Sequence, residues 1–231
     1  MRAPGHFAPA QDVADVPEQD SARSGRQPPG LRLVQAGDGA GSGASRLAVI
    51  LVADAVDYSR QMEADEAGTY ARLSAIFRSI VEPGVARHGG KVVKDTGDGF
   101  LAVFWSATNA VWFAVEFQNA MRAWNVRRAP ERRLAFRVGI NLGDVIVAPH
   151  DVFGHNVNVA ARLEASAEPG GVLVSHGVFV AVRDRRLSFE DAGEVQLGNI
   201  SETVRGFRAR SAAPRRSRRR SVAASAMAMD G

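Results

Sequence analysis

The run Leu47-Ala48-Val49-Ile50-Leu51-Val52 is short, wholly aliphatic and partly β-branched, which fits a strand buried on both faces and is far too short to span a membrane. Asp54 stands at its C-terminal end. Tyr70, Leu73, Ile76, Phe77, Ile80 and Val81 then recur at helical spacing, with Pro83 expected to kink or end that helix and Gly89-Gly90 to close it. Lys91 to Thr96 and Phe100 to Phe104 read as two strands joined by a tight turn at Gly97-Asp98-Gly99. A second helix is predicted from Ser106 to about Arg127, with Val111, Ala114, Phe117, Met121 and Trp124 along one stripe. After Ala129-Pro130, Leu134 to Leu142 and Val145 to Val147 read as another hairpin, turning at Gly143-Asp144. This β-α-ββ-α-β order is the ferredoxin-like pattern of an α+β fold, here with an extra strand and additional C-terminal αβ elements. In such a sheet the first and third strands are antiparallel neighbours, so Asp54 and Asp98 are expected to meet.

At 231 residues and 45% hydrophobic content the chain can bury one sizeable core. The globular domain is placed at 46–210, between a disordered leader (1–45) rich in Pro, Gly, Ala and Gln and a disordered Arg-rich tail (211–231), because almost no bulky apolar residue follows Arg208. There is no cysteine, so any metal must use oxygen or imidazole ligands, and oxygen ligands point to magnesium or manganese. The formal charge is +4, yet five arginines fall within 215–220, and without them 24 basic residues face 25 acidic ones. The basic excess therefore belongs to the tail, for which plain solvation is preferred over contact with nucleic acid or an anionic surface. With no membrane span and no apolar segment after Arg2 to make a secretory signal, the chain reads as cytoplasmic.

Two constellations carry chemistry. Two carboxylates converging at a sheet edge repel unless a cation sits between them, and hard cations such as magnesium take a few carboxylates plus water and phosphate oxygens. Taken singly, Asp54 is equally explained as a cap on the following segment, and Asp98 as a residue of its Gly-Asp-Gly turn. The second is Asp151-Val152-Phe153-Gly154-His155-Asn156-Val157-Asn158-Val159-Ala160-Ala161-Arg162. If it is helical after Gly154, Asn158 and Arg162 share a face and can reach one phosphate together; periodicity alone fits as well an exposed polar face with Arg162 paired to a nearby acid.

Four blocks in order, Ala53-Asp54-Ala55-Val56-Asp57-Tyr58-Ser59-Arg60, Val93-Lys94-Asp95-Thr96-Gly97-Asp98-Gly99, Gly139-Ile140-Asn141-Leu142-Gly143-Asp144 and the run from Asp151 to Arg162, resemble the signature blocks of class III adenylate cyclases of the bacterial type. The resemblance runs from about Arg46 to Phe207. It implies that Asp54 and Asp98 bind two divalent cations, Mg2+ or Mn2+, and that Lys94 and Asp151 read the adenine edge of ATP. It likewise implies that Asn158 orients the ribose with Arg162 stabilising the transition state, while the backbone of Ala55, Val56, Asp57, Tyr58 and Ser59 cradles the triphosphate. The implied reaction is in-line attack of the ribose 3′-oxygen on the α-phosphorus, with one metal lowering the pKa of the 3′-hydroxyl and the other holding the triphosphate. The family shares each site across a dimer interface, so a symmetric homodimer is the implied assembly.

Two positions depart from the pattern. Asp57 replaces a glycine of the phosphate loop, where its carboxylate must turn outward or help hold metal. Gly198, in Leu197-Gly198-Asn199-Ile200, replaces a phosphate-binding lysine, with Arg205 a nearby substitute. These two changes motivate the alternative of a catalytically weak or inactive cyclase-homology domain acting in nucleotide binding or regulatory dimerisation. A diguanylate cyclase shares the architecture but needs an acidic pair after its double glycine, whereas Gly89-Gly90 is followed by Lys91-Val92.

Overall fold

The aliphatic run becomes the centre of β1 (Ser45–Ala55) in the computed structural model, which describes residues 45–148, 151–196 and 203–212. The expected leader (all but Ser45), the Arg-rich tail beyond Ala212 and the Leu197 to Ile200 segment lie outside the described residues. After β1 come α1 (Tyr58–Ala64), α2 (Glu66–Ile76), a π-helical turn (Phe77–Val81) and α3 (Glu82–Arg87), then β2 (Gly90–Asp95) and β3 (Gly99–Phe104). α4 (Ala107–Val126), a short 3-10 turn (Pro130–Arg132) and β4 (Phe136–Val147) complete the first half. β5 (Val152–Phe153), α5 (His155–Ser166), β6 (Val172–Ser175), α6 (His176–Ala181), β7 (Leu187–Gln196) and β8 (Thr203–Ser211) follow. The strands form one sheet in the order β2-β3-β1-β4-β6-β8-β7, with β5 paired to β4 and only β4 and β6 parallel. Its first four positions are the ferredoxin-like core, with β1 and β3 antiparallel neighbours as expected.

Both faces of β1 are covered. Val49, Leu51, Ala53 and Ala55 join Leu73, Ile76, Val85 and a cluster of phenylalanines under α2, α3 and α4. Phe117 packs edge-on against Phe100 and Phe136, with centroids 5.6 and 5.2 Å apart, so the aromatic geometry adds to the apolar area buried. On the other face Ala48, Ile50 and Val52 pack with Leu101, Val103, Val157 and Ala160, which places α5 there. α5 lies very close to β4 because of Gly139: a Cβ at that position would come within 2.2 Å of both the Ala160 carbonyl oxygen and the Glu164 nitrogen. Any side chain there would lift α5 off the sheet.

Four local expectations are corrected. Pro83 does not end the first long helical segment: the π-turn runs directly into α3, with the Glu82 N–H donating to the Phe77 carbonyl. Pro83 then falls in the first turn of α3, where a missing N–H costs nothing. Tyr70 is exposed and off the apolar stripe, and Thr69 is buried in its neighbourhood, donating through its hydroxyl to the Gln61 carbonyl. Gly143-Asp144 is not a turn, because β4 runs straight through it paired with Ala48 and Leu47 of β1. Gly143 instead makes room for Asn156, whose Cγ would lie 2.2 Å from a Cβ there, and the reversal into β5 is closed by the Ala148 N–H on the Asp151 carbonyl, 2.8 Å. Finally, β8 continues to Ser211, three residues beyond Arg208, since pairing with β7 needs backbone groups rather than bulky side chains.

Candidate active site

Asp54 pairs with Gly99 across the β1–β3 ladder, and the Ala55 N–H donates to the Asp98 carbonyl at 2.9 Å. Gly99 permits this approach, since a Cβ on it would stand 2.1 Å from the Ala53 carbonyl oxygen. The two aspartates are thus brought together. Burial first, and then the charge of Asp98, push the Asp54 carboxyl up to about 6, against an opposing pull from Arg137. Neither simple role for these acids holds. Asp95, not Asp98, braces the turn by accepting from the Gly97 N–H (2.9 Å), and the N-cap position of α1 is Asp57, not Asp54.

Sequence reasoning missed two members of this cluster. Arg137 sits directly opposite Asp54 on β4 and is the cation that offsets it. Glu164, buried on α5, is pushed up to about 7 by burial and then by Asp54 and Asp98, with Arg137 pulling the other way. Gly139, which lies under Glu164, is the signal that would have found the latter.

Lys94 reaches the same face through an irregularity. Val92 pairs with Ala102, yet Lys94 pairs with Leu101, so Val93 is an extra residue, a β-bulge. Ala102 faces the α4 side and Leu101 the α5 side, so without the bulge Lys94 would lie on the wrong face. Its Nζ stands 3.7 Å from Asp151 Oδ2, and Asp151 Oδ1 accepts from the Val152 N–H at 2.8 Å.

α5 begins after Gly154, as expected, and is tied to β4 by Asn141, which donates to both the carbonyl (3.1 Å) and Oδ1 (3.1 Å) of Asn156. Asn158 and Arg162 are exposed on its surface, and Arg162 makes no ion pair among the described residues, contrary to the bland expectation. Arg162 and Glu164 are two positions apart, about 200° around a helix, so Arg162 points away from the acids of its own chain. His155 is the exposed first residue of α5.

The loop after β1 explains Asp57. This residue has φ 57 and ψ 28, the left-handed conformation that glycine takes freely and that aspartate tolerates better than most. Its carboxylate turns outward to Arg60 at 3.3 Å, both side chains being well exposed. The N–H groups of Ala55 and Val56 are taken by the Asp98 and Ala135 carbonyls. Those of Asp57, Tyr58 and Ser59 lie at the start of α1, where helical N–H groups have no acceptor within the helix. Arg205 is committed to Asp191 by hydrogen bonds, the Nε contact at 3.0 Å, and is no free substitute for the lysine absent at Gly198.

The family model for the adenylate and guanylate cyclase catalytic domain matches residues 47–207. The chain belongs to that family. Putative adenylate cyclase 3 of Rhizobium meliloti (strain 1021) is 49% identical to this cyclase domain over 160 residues, which cover 69% of the chain and 27% of that protein. An adenylate cyclase of Streptomyces coelicolor is 36% identical over 146 residues, covering 62% of the chain and 36% of that protein. The chain therefore spans well under half the length of either relative. A solved adenylate/guanylate cyclase/hydrolase from Silicibacter pomeroyi matches with a TM-score of 0.65 at 40% identity, over 71% of this chain and 96% of that one. The α+β fold described above is accordingly the class III cyclase fold. Among the described residues no helix is long and apolar enough to cross a membrane.

The cyclase domain's acids suit a divalent cation. Among the described residues no three His, Cys, Asp or Glu side chains are arranged to hold an ion, so a cation here would rest on Asp54 and Asp98, with water and substrate oxygens completing its shell. That is the arrangement magnesium favours, and it would offset both the burial that chiefly raises Asp54 and the lesser repulsion from Asp98. Asp54 and Glu164 both hold their protons more tightly folded than unfolded, from ordinary values of 3.8 and 4.5 to about 6 and 7. The folded state thus carries more protons than the unfolded one between about pH 4 and 7, and stability falls as pH rises through that window. In chelator, the melting midpoint should be lower at pH 8 than at pH 5. Manganese at tenfold over its dissociation constant should raise it at pH 8 by about 3 °C, hardly at all at pH 5, and not in Asp54→Asn. A parent protein indifferent to manganese at pH 8 would remove the case for a cation at these aspartates.

Proposed function

We propose that this domain converts ATP to 3′,5′-cyclic AMP and pyrophosphate at a site shared by two copies of the chain, acting in the cytoplasm where ATP is available. The observation that carries the reading is the Lys94–Asp151 pair, 3.7 Å apart on the face that also bears Asp54. A lysine ammonium donates to adenine N1 and a carboxylate accepts from the N6 amino group, whereas guanine presents a donor and an acceptor in the opposite order. The shared site is supported by the split of the side chains. The charges acting on Asp54 come from Asp98 and Arg137, while Asn158 and Arg162 look outward from α5. One protomer therefore offers the acids, and its partner offers the base-reading pair and the arginine.

Asp54 and Asp98 would hold two Mg2+ or Mn2+ ions, which would lower the pKa of the ribose 3′-hydroxyl and supply positive charge beside the triphosphate. The partner's residues equivalent to Lys94 and Asp151 fix the base, and Asn158 orients the ribose so that its 3′-oxygen faces the α-phosphorus in line with the bond to be broken. As the new P–O bond forms and the bond to the β-phosphate breaks, Arg162 donates to the α-phosphate oxygens where negative charge gathers. The N–H groups of Asp57, Tyr58 and Ser59 meet the departing phosphates. The outward-turned Asp57 and its left-handed backbone keep this loop usable despite the missing glycine.

The test is production of cyclic nucleotide by the purified chain supplied with ATP or GTP and manganese. Cyclic AMP is expected in clear excess. No cyclic AMP at micromolar enzyme would favour the inactive-domain alternative, and cyclic GMP in excess would overturn the base assignment.

A further inference from the structure

At the edge where β1 ends, on the side of the sheet covered by α2 and α4, lies a cavity of about 470 Å3 that plays no part in the site above. It is lined by Arg72, Arg127, Arg128 and Arg132 against a single carboxylate, Asp65, with only Gly68 and Ala129 besides. The one acid is already engaged. Asp65 accepts from Arg72 Nη1 at 3.0 Å and from the Gly68 N–H at 2.9 Å, capping α2, and these bonds hold its carboxyl below the usual range. Arg128 is pinned over the Trp124 ring, its guanidinium carbon 3.7 Å from the centroid, and donates to the Trp124 carbonyl. Arg127 and Arg132 have no ion pair among the described residues. Arg72 keeps its Nε buried with no hydrogen-bond partner, although its two terminal nitrogens are used by Asp65 and Thr69.

Three guanidiniums beyond the neutralised pair thus surround one concavity, and a buried donor on the fourth is unsatisfied. Like charges so placed repel one another unless an anion joins them, and an unmet buried donor is costly. The lining has no aromatic or large aliphatic side chain on which a nucleobase would rest. Planar guanidinium forks match phosphate oxygens two at a time, and the volume is that of a small-molecule site.

We propose that this pocket binds a compact phosphate polyanion, with pyrophosphate as its smallest member, at a site separate from the catalytic one. The pocket's position gives the occupant a route to the reaction. Asp65 ends α1 and starts α2, Gln61 of α1 donates to the Arg133 carbonyl at 3.1 Å, and α1 begins at the loop of Asp57. An anion that draws Arg72 away from Asp65 loosens the junction on which that loop rests.

The proposal does not depend on the cyclase reading and is tested without turnover. Pyrophosphate is titrated calorimetrically into the full chain at low ionic strength in excess chelator, where no cation bridges it to Asp54 and Asp98. The Arg127→Ala/Arg132→Ala double variant changes two exposed side chains, so its circular dichroism and melting midpoint should match the parent. Metal-free binding by the parent, weakened at least about tenfold in the variant, is expected from the loss of two charge-assisted contacts. A smaller weakening would place the anion elsewhere, on the arginines of 215–220 for example, and would overturn the proposal, as would no metal-free binding by the parent.

Discussion

Mixing Asp54→Ala protein with Arg162→Ala protein, each inactive by itself, is expected to bring back about a quarter of the parent activity. If dimers exchange at random, about half of them are mixed. With the site shared as proposed, each mixed dimer would have one site carrying both lesions and one carrying neither, because the acids of one chain would face the arginine of the other. The separate losses should be large. Removing the preorganised donor Arg162 costs about 3 kcal/mol of transition-state stabilisation, or about a hundredfold in kcat with little change in KM. Asp54→Ala takes away one of the two carboxylates proposed to hold the cations and should cost at least as much. The measurement is cyclic AMP formation across mixing ratios, with the peak at equal amounts. Recovery that never exceeds the sum of the two separate activities would mean that each chain completes its own site.

Asp151→Asn should shrink the preference for ATP over GTP by about a hundredfold, through loss of kcat/KM for ATP with much less change for GTP. The asparagine is nearly isosteric and can still accept from the Val152 N–H, so the backbone turn at Asp151 survives. What goes is the charge that holds Lys94 in place at 3.7 Å and the acceptor aimed at the N6 amino group. Parallel losses on both nucleotides, with an unchanged melting midpoint, would show that the pair acts in binding or turnover of either nucleotide and does not choose the base.

The pairing of Asp54 with the hairpin that carries Asp98 was legible before any coordinates. Strand and helix periods are local, and in a β-α-ββ-α-β chain they leave few topologies, so the neighbours of β1 follow from order alone. The resemblance of the ordered blocks likewise singled out Lys94, Asp151, Asn158 and Arg162 as candidates, since ordered motifs carry more information than any one residue. Errors arose where a local signal was overruled by a distant partner. Gly143-Asp144 looks like a turn in isolation, but β1 extends far enough to pair with it and Asn156 packs onto the glycine. Pro83 looks like a helix end, yet the π-turn before it leads straight into α3, whose first turn accommodates the proline.

Residue types, their spacing and their order determined the strands, the amphipathic α4 and the list of chemically able side chains, because propensity and periodicity act within a few residues. Register, face and ionisation were decided only by the tertiary structure. The bulge at Val93 turns Lys94 to the catalytic side, the left-handed Asp57 sends its carboxylate outward, and the approach of α5 over Gly139 buries Glu164 beside the aspartates. Each of these depends on which backbone lies opposite and how much water is excluded, quantities that arise when segments distant along the chain pack together.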